Sequence, residues 1–122
     1  MTQPRYPVRR TSLRYSFFAD AEVTLRDGTS VRGQLEELSA RGCYIDTLQP
    51  IPPSTKLNIR ICDGTSTCEV HGKVLYLHSG GGLGVFGMGV LLEEMRAEQR
   101  STIGTWLRGL AAHRTNDSAN NP

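Results

Sequence analysis

The sequence has few of the residues that build disulfide frameworks, metal centres or membrane spans. Only three cysteines occur in 122 residues, and none forms a Cys-X-X-Cys pair. An odd, dispersed set of thiols predicts buried free cysteines rather than disulfides or a thiolate metal site. No run approaches the roughly 18 apolar residues of a membrane helix, and the opening segment lacks the apolar core of a secretory signal peptide. We therefore expect a cytoplasmic protein without membrane contact.

Residue combinations that carry catalysis are also missing. Ser39 has no histidine near it in the sequence, and Cys43 has no identifiable base. The three histidines lie far apart in the sequence, so a metal site is not expected. The segment SGGGLG lacks the Gly-Lys-Ser/Thr ending of a phosphate-binding loop. We expect neither an enzyme nor a bound metal or resident cofactor.

Aromatic residues are scarce and charge is unevenly placed. Aromatics make up only 7% of the chain, which argues against a DNA- or RNA-binding barrel. The net charge is only +2, yet Arg5, Arg9, Arg10 and Arg14 all precede Asp20, the first acidic residue. Such a segment indicates either an anionic partner or a solvated, disordered terminus, and composition alone favours the second.

The body of the chain consists of short alternating runs separated by turn residues, a pattern typical of antiparallel strands joined by hairpins. The predicted strands are AEVTL (21–25), SVRGQLEEL (30–38), GCYIDTL (42–48), KLNIRIC (56–62), TCEVHGKVLYLH (67–78) and VFGMGVLLEE (85–94). Gly87 and Gly89 in the last strand are interpreted as bends that help a small sheet to close. Closure of the sheet removes exposed strand edges and therefore favours a barrel, although the pattern alone does not exclude a β-sandwich.

A different periodicity follows the last strand. Apolar residues recur at helical spacing and predict an amphipathic helix lying on the sheet: Ile103, Trp106, Leu107, Leu110 and Ala111. We therefore predict a flexible basic arm over 1–19, a barrel with its C-terminal helix over 20–114, and a disordered tail over 115–122. The fold class is all-β, with six antiparallel strands and a C-terminal α-helix.

Two short motifs carry the functional signal. Arg10 and Arg14 form an RxxxR pattern in the basic arm, and Ser39 and Gly42 belong to the segment ELSARG beyond the second predicted strand. Together they resemble the PilZ domain family, which is marked by RxxxR followed by [D/N]xSxxG. The segment GCYID, the Gly-Met-Gly-Val of the last strand and the terminal helix extend the resemblance to roughly residues 6–110. Either motif alone is weak, whereas both in order and at this separation make a specific signal.

The resemblance implies a six-stranded barrel that binds the bacterial second messenger cyclic di-GMP under its arm. Arginine suits this ligand, because its planar fork matches both a phosphate and the N7 and O6 edge of guanine. The implied ligand-binding residues are Arg9, Arg10, Arg14, Glu37, Ser39 and Gly42. Among them, Glu37 is an acceptor for guanine N–H groups, Ser39 is a donor to phosphate, and Gly42 allows a turn or a close approach.

Several alternatives stay open at this stage. Glu37 stands where the family pattern has Asp or Asn, and its extra methylene moves the carboxylate by about 1.5 Å. The first hypothesis is a receptor whose arm reorders on ligand binding and signals to an unidentified partner protein. The alternative is a degenerate PilZ scaffold that acts through protein contacts without nucleotide. Arg9 either contacts guanine, with one or two ligands bound per chain, or faces solvent. The oligomeric state is monomer or weak homodimer.

Overall fold

The chain folds into a closed barrel with one helix. The computed structural model describes residues 13–79 and 84–120, with side chains through residue 112. This part of the chain contains β1 (Tyr15–Leu25), β2 (Ser30–Leu38), β3 (Gly42–Thr47), β4 (Lys56–Asp63), β5 (Ser66–Ser79), β6 (Phe86–Glu93) and α1 (Ala97–Asn120). All neighbouring strands are antiparallel, and the ring runs β1-β2-β3-β6-β5-β4 before β4 pairs with β1 again. The predicted six-stranded barrel with a C-terminal helix is confirmed.

Two Asp-Gly turns join strands as the sequence predicts. Gly28 adopts a φ of 91° and Gly64 a φ of 62°, in the left-handed region that glycine occupies at no steric cost. In the first turn, the Asp27 carboxylate accepts a hydrogen bond from the Thr29 amide at 2.9 Å. This bond lowers the pKa of Asp27. The two turns set the β1–β2 and β4–β5 hairpins.

Alternation along the strands fills the barrel with aliphatic side chains. Interior positions recur at every second residue, and the following are fully buried: Val23, Leu35, Ile45, Ile59, Ile61 and Met88. The helix α1 packs against β1 and β5, and its Ile103 and Trp106 join this core. The ring of Trp106 lies 5.3 Å from that of Phe17, centroid to centroid. The helix therefore covers one part of the barrel, as expected from its apolar positions.

One glutamine fastens the helix to the barrel. The side chain of Gln99, at the third position of α1, accepts a hydrogen bond from the Arg96 amide, which is half of a capping box. The amide nitrogen of the same side chain donates to the Glu69 carbonyl of β5. Gln99 is buried, so both of its polar ends are satisfied inside the protein. The Gln99 side chain thus ties the start of α1 to β5.

The element boundaries differ from the predicted ones at both ends. Strand β1 begins at Tyr15, so residues 15–19 of the predicted arm belong to the barrel. The reason is that Phe17 and Ala19 continue the inward alternation, and Tyr15 pairs with Leu38. Helix α1 continues to Asn120, through most of the predicted disordered tail. Once a helix is nucleated each residue adds a hydrogen bond, and no proline occurs over residues 97–121.

The three cysteines are free, as predicted. Cys43 and Cys68 are buried, whereas Cys62 is half-buried on the outer side of β4. Burial raises the pKa of the Cys43 thiol to about 12. Within residues 13–79 and 84–120, no group of histidine, cysteine and carboxylate side chains could hold a metal ion. Nor does the described part of the chain contain a helix that is long and apolar enough to cross a membrane.

Candidate ligand-binding site

The last arginine of the first motif meets the second motif where β1 begins and β2 ends. Arg14 immediately precedes β1, and Ser16 pairs with Glu37 in the β1–β2 ladder. The Nη1 atom of Arg14 lies 3.2 Å from the Oε1 atom of Glu37, with side-chain exposures of 39% and 43%. Arg9 and Arg10 lie outside the described residues. The structure thus places the last arginine of the arm directly against the acidic residue of the second motif.

Ser39 organises the turn between β2 and β3. Its hydroxyl accepts hydrogen bonds from the amides of Arg41 at 3.3 Å and Gly42 at 3.1 Å, and lies 3.2 Å from the Gly42 carbonyl, to which it donates. The Ser39 amide donates to the same carbonyl at 2.9 Å. Ser39 is buried, with 6% of its surface exposed. The hydroxyl that the sequence suggests as a phosphate donor is therefore engaged with the backbone of its own turn.

Gly42 allows a close approach between two strands. A Cβ atom at this position would lie 2.6 Å from the carbonyl oxygen of Val90 in β6. Since that atom belongs to the backbone of a paired strand, no side-chain movement can relieve the contact. The glycine of the motif therefore secures the β3–β6 pairing that positions the Ser39 turn.

A bulge in β2 turns two consecutive carboxylates outward. Leu35 pairs with Ile45 and Glu37 pairs with Tyr44, which leaves Glu36 as the extra residue. Leu35 and Leu38 are both buried, so Glu36 and Glu37 share the outer side of the barrel. Without the bulge, strict alternation would place one of these carboxylates inside.

Glu36 lies beside a third carboxyl group. A hydrogen bond with Asp46 of β3 raises the pKa of Glu36, and burial and the negative charges of Asp46 and Glu37 raise it further. Burial also raises the pKa of the neighbouring Tyr44, with Asp46 contributing. The outer side of the barrel next to Arg14 is thus strongly anionic.

An aromatic group continues this surface across β6, and sequence analysis missed it. The rings of Tyr44 and Tyr76 lie 6.3 Å apart, and those of Tyr76 and His78 lie 4.9 Å apart, centroid to centroid. Tyr76 is turned outward next to a bulge in β5, where Leu75 is the extra residue. We call the outward side chains of Glu36, Glu37, Tyr44, Asp46 and Tyr76 the carboxylate–tyrosine face.

Two glycines of β6 make room for these rings. A Cβ atom at Gly87 would lie 1.8 Å from the Tyr44 hydroxyl, and one at Gly89 would lie 2.3 Å from the Tyr76 ring. The irregularities in strand pairing lie in β1, β2 and β5, so these glycines accommodate side chains and do not mark a bulge in β6. The alternating Gly-Met-Gly, with glycines facing outward, was the signal that could have revealed the aromatic surface.

The assembled site combines three kinds of chemistry. Arg14 supplies a planar donor for phosphate oxygens or a guanine edge. Glu37 supplies an acceptor, and the exposed ring of Tyr76 supplies a surface on which a base can stack. A separate cleft of about 410 Å³ includes Lys56 and Glu93, but these two side chains pair with each other at 3.6 Å. That cleft shares no residue with the motifs.

Solved structures share this architecture. The PilZ domain of YcgR from Escherichia coli, solved with c-di-GMP, has a TM-score of 0.74 at 13% identity, covering 93% of this chain and 99% of that one. The MrkH–c-di-GMP complex from K. pneumonia has a TM-score of 0.75 at 14% identity, covering 89% and 55%. The motility inhibitor MotI/DgrA of Bacillus subtilis has a TM-score of 0.71 at 16% identity, covering 88% and 52%. At these identities the likeness shows the fold alone.

This chain corresponds to different shares of the matched proteins. The chain spans nearly all of the isolated YcgR domain but about half the length of MrkH and MotI. Among curated proteins, none matches the sequence. The family model of the PilZ domain matches residues 8–109, which include both motifs, all six strands and the first half of α1. The chain therefore belongs to the PilZ domain family.

Proposed function

We propose that the protein is a receptor for cyclic di-GMP in the bacterial cytoplasm, and that it signals to a partner protein without catalysing a reaction. The observation that carries this proposal is the 3.2 Å contact between Arg14 and Glu37, which joins the two motifs at one place on the barrel. The isolated YcgR domain and MrkH, which share the fold, were both solved with c-di-GMP.

The ligand's two phosphates and two guanines call for donors, acceptors and stacking surfaces. In the proposed complex, Arg10 and Arg14 donate to phosphate oxygens or to guanine N7 and O6. Glu37 accepts from guanine N1–H and the exocyclic amine. Arg9 adds a third guanidinium, and the number of ligands bound is one or two. Because Ser39 and Gly42 shape the turn that holds Glu37, their contribution includes the positioning of that carboxylate.

The aromatic surface extends this proposal to the base. Tyr76 is 36% exposed, and its ring belongs to the carboxylate–tyrosine face, 6.3 Å from the Tyr44 ring, centroid to centroid. Stacking on an aromatic ring contributes about 1–3 kcal/mol per base. We therefore assign Tyr76 to the support of one guanine, while the arm covers the opposite side of the ligand.

Signalling would follow from the reordering of the arm. Closing the arm over the ligand costs conformational entropy, so we expect micromolar affinity, about −8 kcal/mol. The closed arm changes the surface that a partner protein meets, and this disorder-to-order change is the proposed signal.

Calorimetric titration of the purified chain with cyclic di-GMP, another cyclic dinucleotide and GTP tests the proposal. We expect binding of cyclic di-GMP and its loss in Arg10→Ala and in Arg14→Ala. Arg60→Ala is a matched control, because Arg60 pairs with Glu69 on the β4–β5 hairpin, away from the motifs. Absence of heat at high micromolar ligand would refute the receptor proposal.

A second candidate function is a scaffold that acts through protein contacts alone. The Ser39 hydroxyl favours it, since a hydroxyl already bonded to the backbone of its own turn is less available to a ligand phosphate. Under this candidate, Arg10→Ala and Arg14→Ala leave partner capture unchanged, and titration gives no signal. Under the receptor proposal, cyclic di-GMP changes partner capture by the unaltered chain and not by these variants.

A further inference from the structure

The carboxylate–tyrosine face has a charge that the rest of the described structure does not balance. Among its three carboxylates, Glu37 pairs with Arg14. Glu36 and Asp46 form no ion pair with any basic residue in ranges 13–79 and 84–120. Two neighbouring carboxyl groups repel each other when both are ionised, and a positive group placed between them removes this cost. The face is therefore complementary to a cation.

Its aromatic residues narrow the choice of cation. The Tyr44 ring lies within 6.3 Å of Tyr76, centroid to centroid, and directly beside the carboxylates on β3. A guanidinium can bind a carboxylate with its edge while its flat side packs on an aromatic ring. A lysine offers only a point charge for the same position. The chemistry thus favours arginine side chains.

The chain itself carries arginines in the segment that directly precedes the face. Residues 1–12 contain Arg5, Arg9 and Arg10 and no acidic residue. This segment leads directly into Arg14, whose side chain already lies on the face through Glu37. Twelve residues span up to about 40 Å when extended, so the segment is long enough to cross β2, β3 and β6. Both the positive charge of residues 1–12 and their connection to Arg14 favour this segment as the partner of the face.

We propose that the carboxylate–tyrosine face is the docking site of residues 1–12 of the same chain when no nucleotide is bound, with Arg9 and Arg10 opposite Glu36 and Asp46. The arm is then held by protein carboxylates until ligand phosphates replace them. Ligand binding then exchanges the protein carboxylates for ligand phosphates as the partners of these arginines. The loss of the contacts with the carboxylates offsets part of the binding free energy that the contacts with phosphate provide. This exchange rests on the proposed function, whereas the resting contact does not require a ligand.

Limited trypsin digestion without nucleotide tests the resting contact. Trypsin cleaves after arginine, so mass spectrometry can follow cleavage after Arg9 and Arg10. We expect slow cleavage in the unaltered chain and cleavage about three- to tenfold faster in the double variant Glu36→Gln, Asp46→Asn, as suits the loss of exposed charge contacts. The control is the double variant Asp63→Asn, Glu69→Gln, which neutralises two carboxylates on the β4–β5 hairpin.

A salt series on the unaltered chain gives an answer that does not depend on the folding of any variant. Raising salt from about 0.02 M to about 0.5 M should speed cleavage after Arg9 and Arg10, because salt screens exposed charges. Equal rates in the unaltered chain and the Glu36→Gln, Asp46→Asn variant, or rates indifferent to salt, would overturn the proposal.

The same variants separate this proposal from the receptor function. If cleavage responds as expected and titration shows no ligand binding, the docked arm stands and the receptor proposal fails. If ligand binds and the arm is cleaved equally in all variants, the receptor proposal stands and the docked arm fails. If both hold, the Glu36→Gln, Asp46→Asn variant binds cyclic di-GMP more tightly than the unaltered chain.

Discussion

The Arg14 guanidinium lies 3.2 Å from the Glu37 carboxylate, although 23 residues separate them in the sequence. Strand pairing explains the contact, because Ser16 of β1 lies opposite Glu37 of β2. Both side chains are partly exposed, so the pair contributes only about 0.2–1 kcal/mol to stability. Its importance is functional, since each partner is also a proposed ligand contact.

Shortening Glu37 should strengthen binding. In Glu37→Asp the carboxylate withdraws by about 1.5 Å, which weakens its hold on Arg14 and restores the residue of the family pattern. We expect the affinity for cyclic di-GMP, measured by calorimetry, to rise about tenfold, or about 1.4 kcal/mol. Glu22→Asp on β1 is the control for the same chemical change elsewhere. Unchanged or weaker binding in Glu37→Asp would contradict the proposed competition.

Removing the Tyr76 ring should weaken binding while the fold persists. Tyr76→Ala loses a stacking surface, and we expect a loss of about 1–3 kcal/mol in binding free energy. Tyr76→Phe keeps the ring and should bind as the unaltered chain does. Leu75→Ala removes the exposed neighbour in the same bulge and is the matched control. Binding in Tyr76→Ala equal to that in Leu75→Ala would exclude a stacking role.

Gly42 should prove essential for stability. Its added Cβ in Gly42→Ala would meet the Val90 carbonyl at 2.6 Å, so the paired backbones must separate. We expect a loss of about 1–3 kcal/mol in the free energy of unfolding, measured by urea denaturation. Gly109→Ala is the control, because a Cβ there meets nothing within 4 Å, and alanine favours a helix by up to about 1 kcal/mol. Equal stabilities of the two variants would contradict the role of Gly42 in the close approach of β3 and β6.

The cysteines should differ sharply in reactivity. Burial holds the pKa of Cys43 at about 12 and raises that of Cys68, whereas Cys62 is half-buried. We expect one thiol of the native chain to react readily with a thiol reagent at neutral pH, and Cys43 to react roughly 10³-fold more slowly. Cys62→Ser should abolish the fast reaction and Cys43→Ser should leave it unchanged. Fast labelling of Cys43 in the folded chain would be inconsistent with its burial.

Most of the barrel could be predicted because most of its strand residues alternate between the core and the outer side. In β4, Leu57, Ile59 and Ile61 point inward. A strand with this pattern buries its apolar side chains only when that side faces the core. That the second motif lies opposite the arm was implied only by the family resemblance, and among the arginines of RxxxR the structure describes Arg14 alone. The start of β1 was misplaced because the basic arm was taken to end only at residue 19, although Phe17 and Ala19 already alternate inward.

Only the aromatic part of the carboxylate–tyrosine face had a signal in the sequence, the glycines of β6, and the rest of the face could not be predicted for a physical reason. A bulge adds a residue and reverses the alternation beyond it, so the side on which Glu36, Glu37 and Tyr76 lie depends on pairing partners that are distant in sequence. The engagement of Ser39 with its own turn likewise depends on the conformation of that turn rather than on residue type.

Because the six strands close into a ring, every strand already has two hydrogen-bonded neighbours. No strand can shift without breaking pairs on both of its sides. The barrel is consequently expected to be rigid. The signalling proposed for this protein then depends on residues on the outer surface of the barrel. A mutation that alters output without altering ligand affinity should therefore map to the exterior and not to the core.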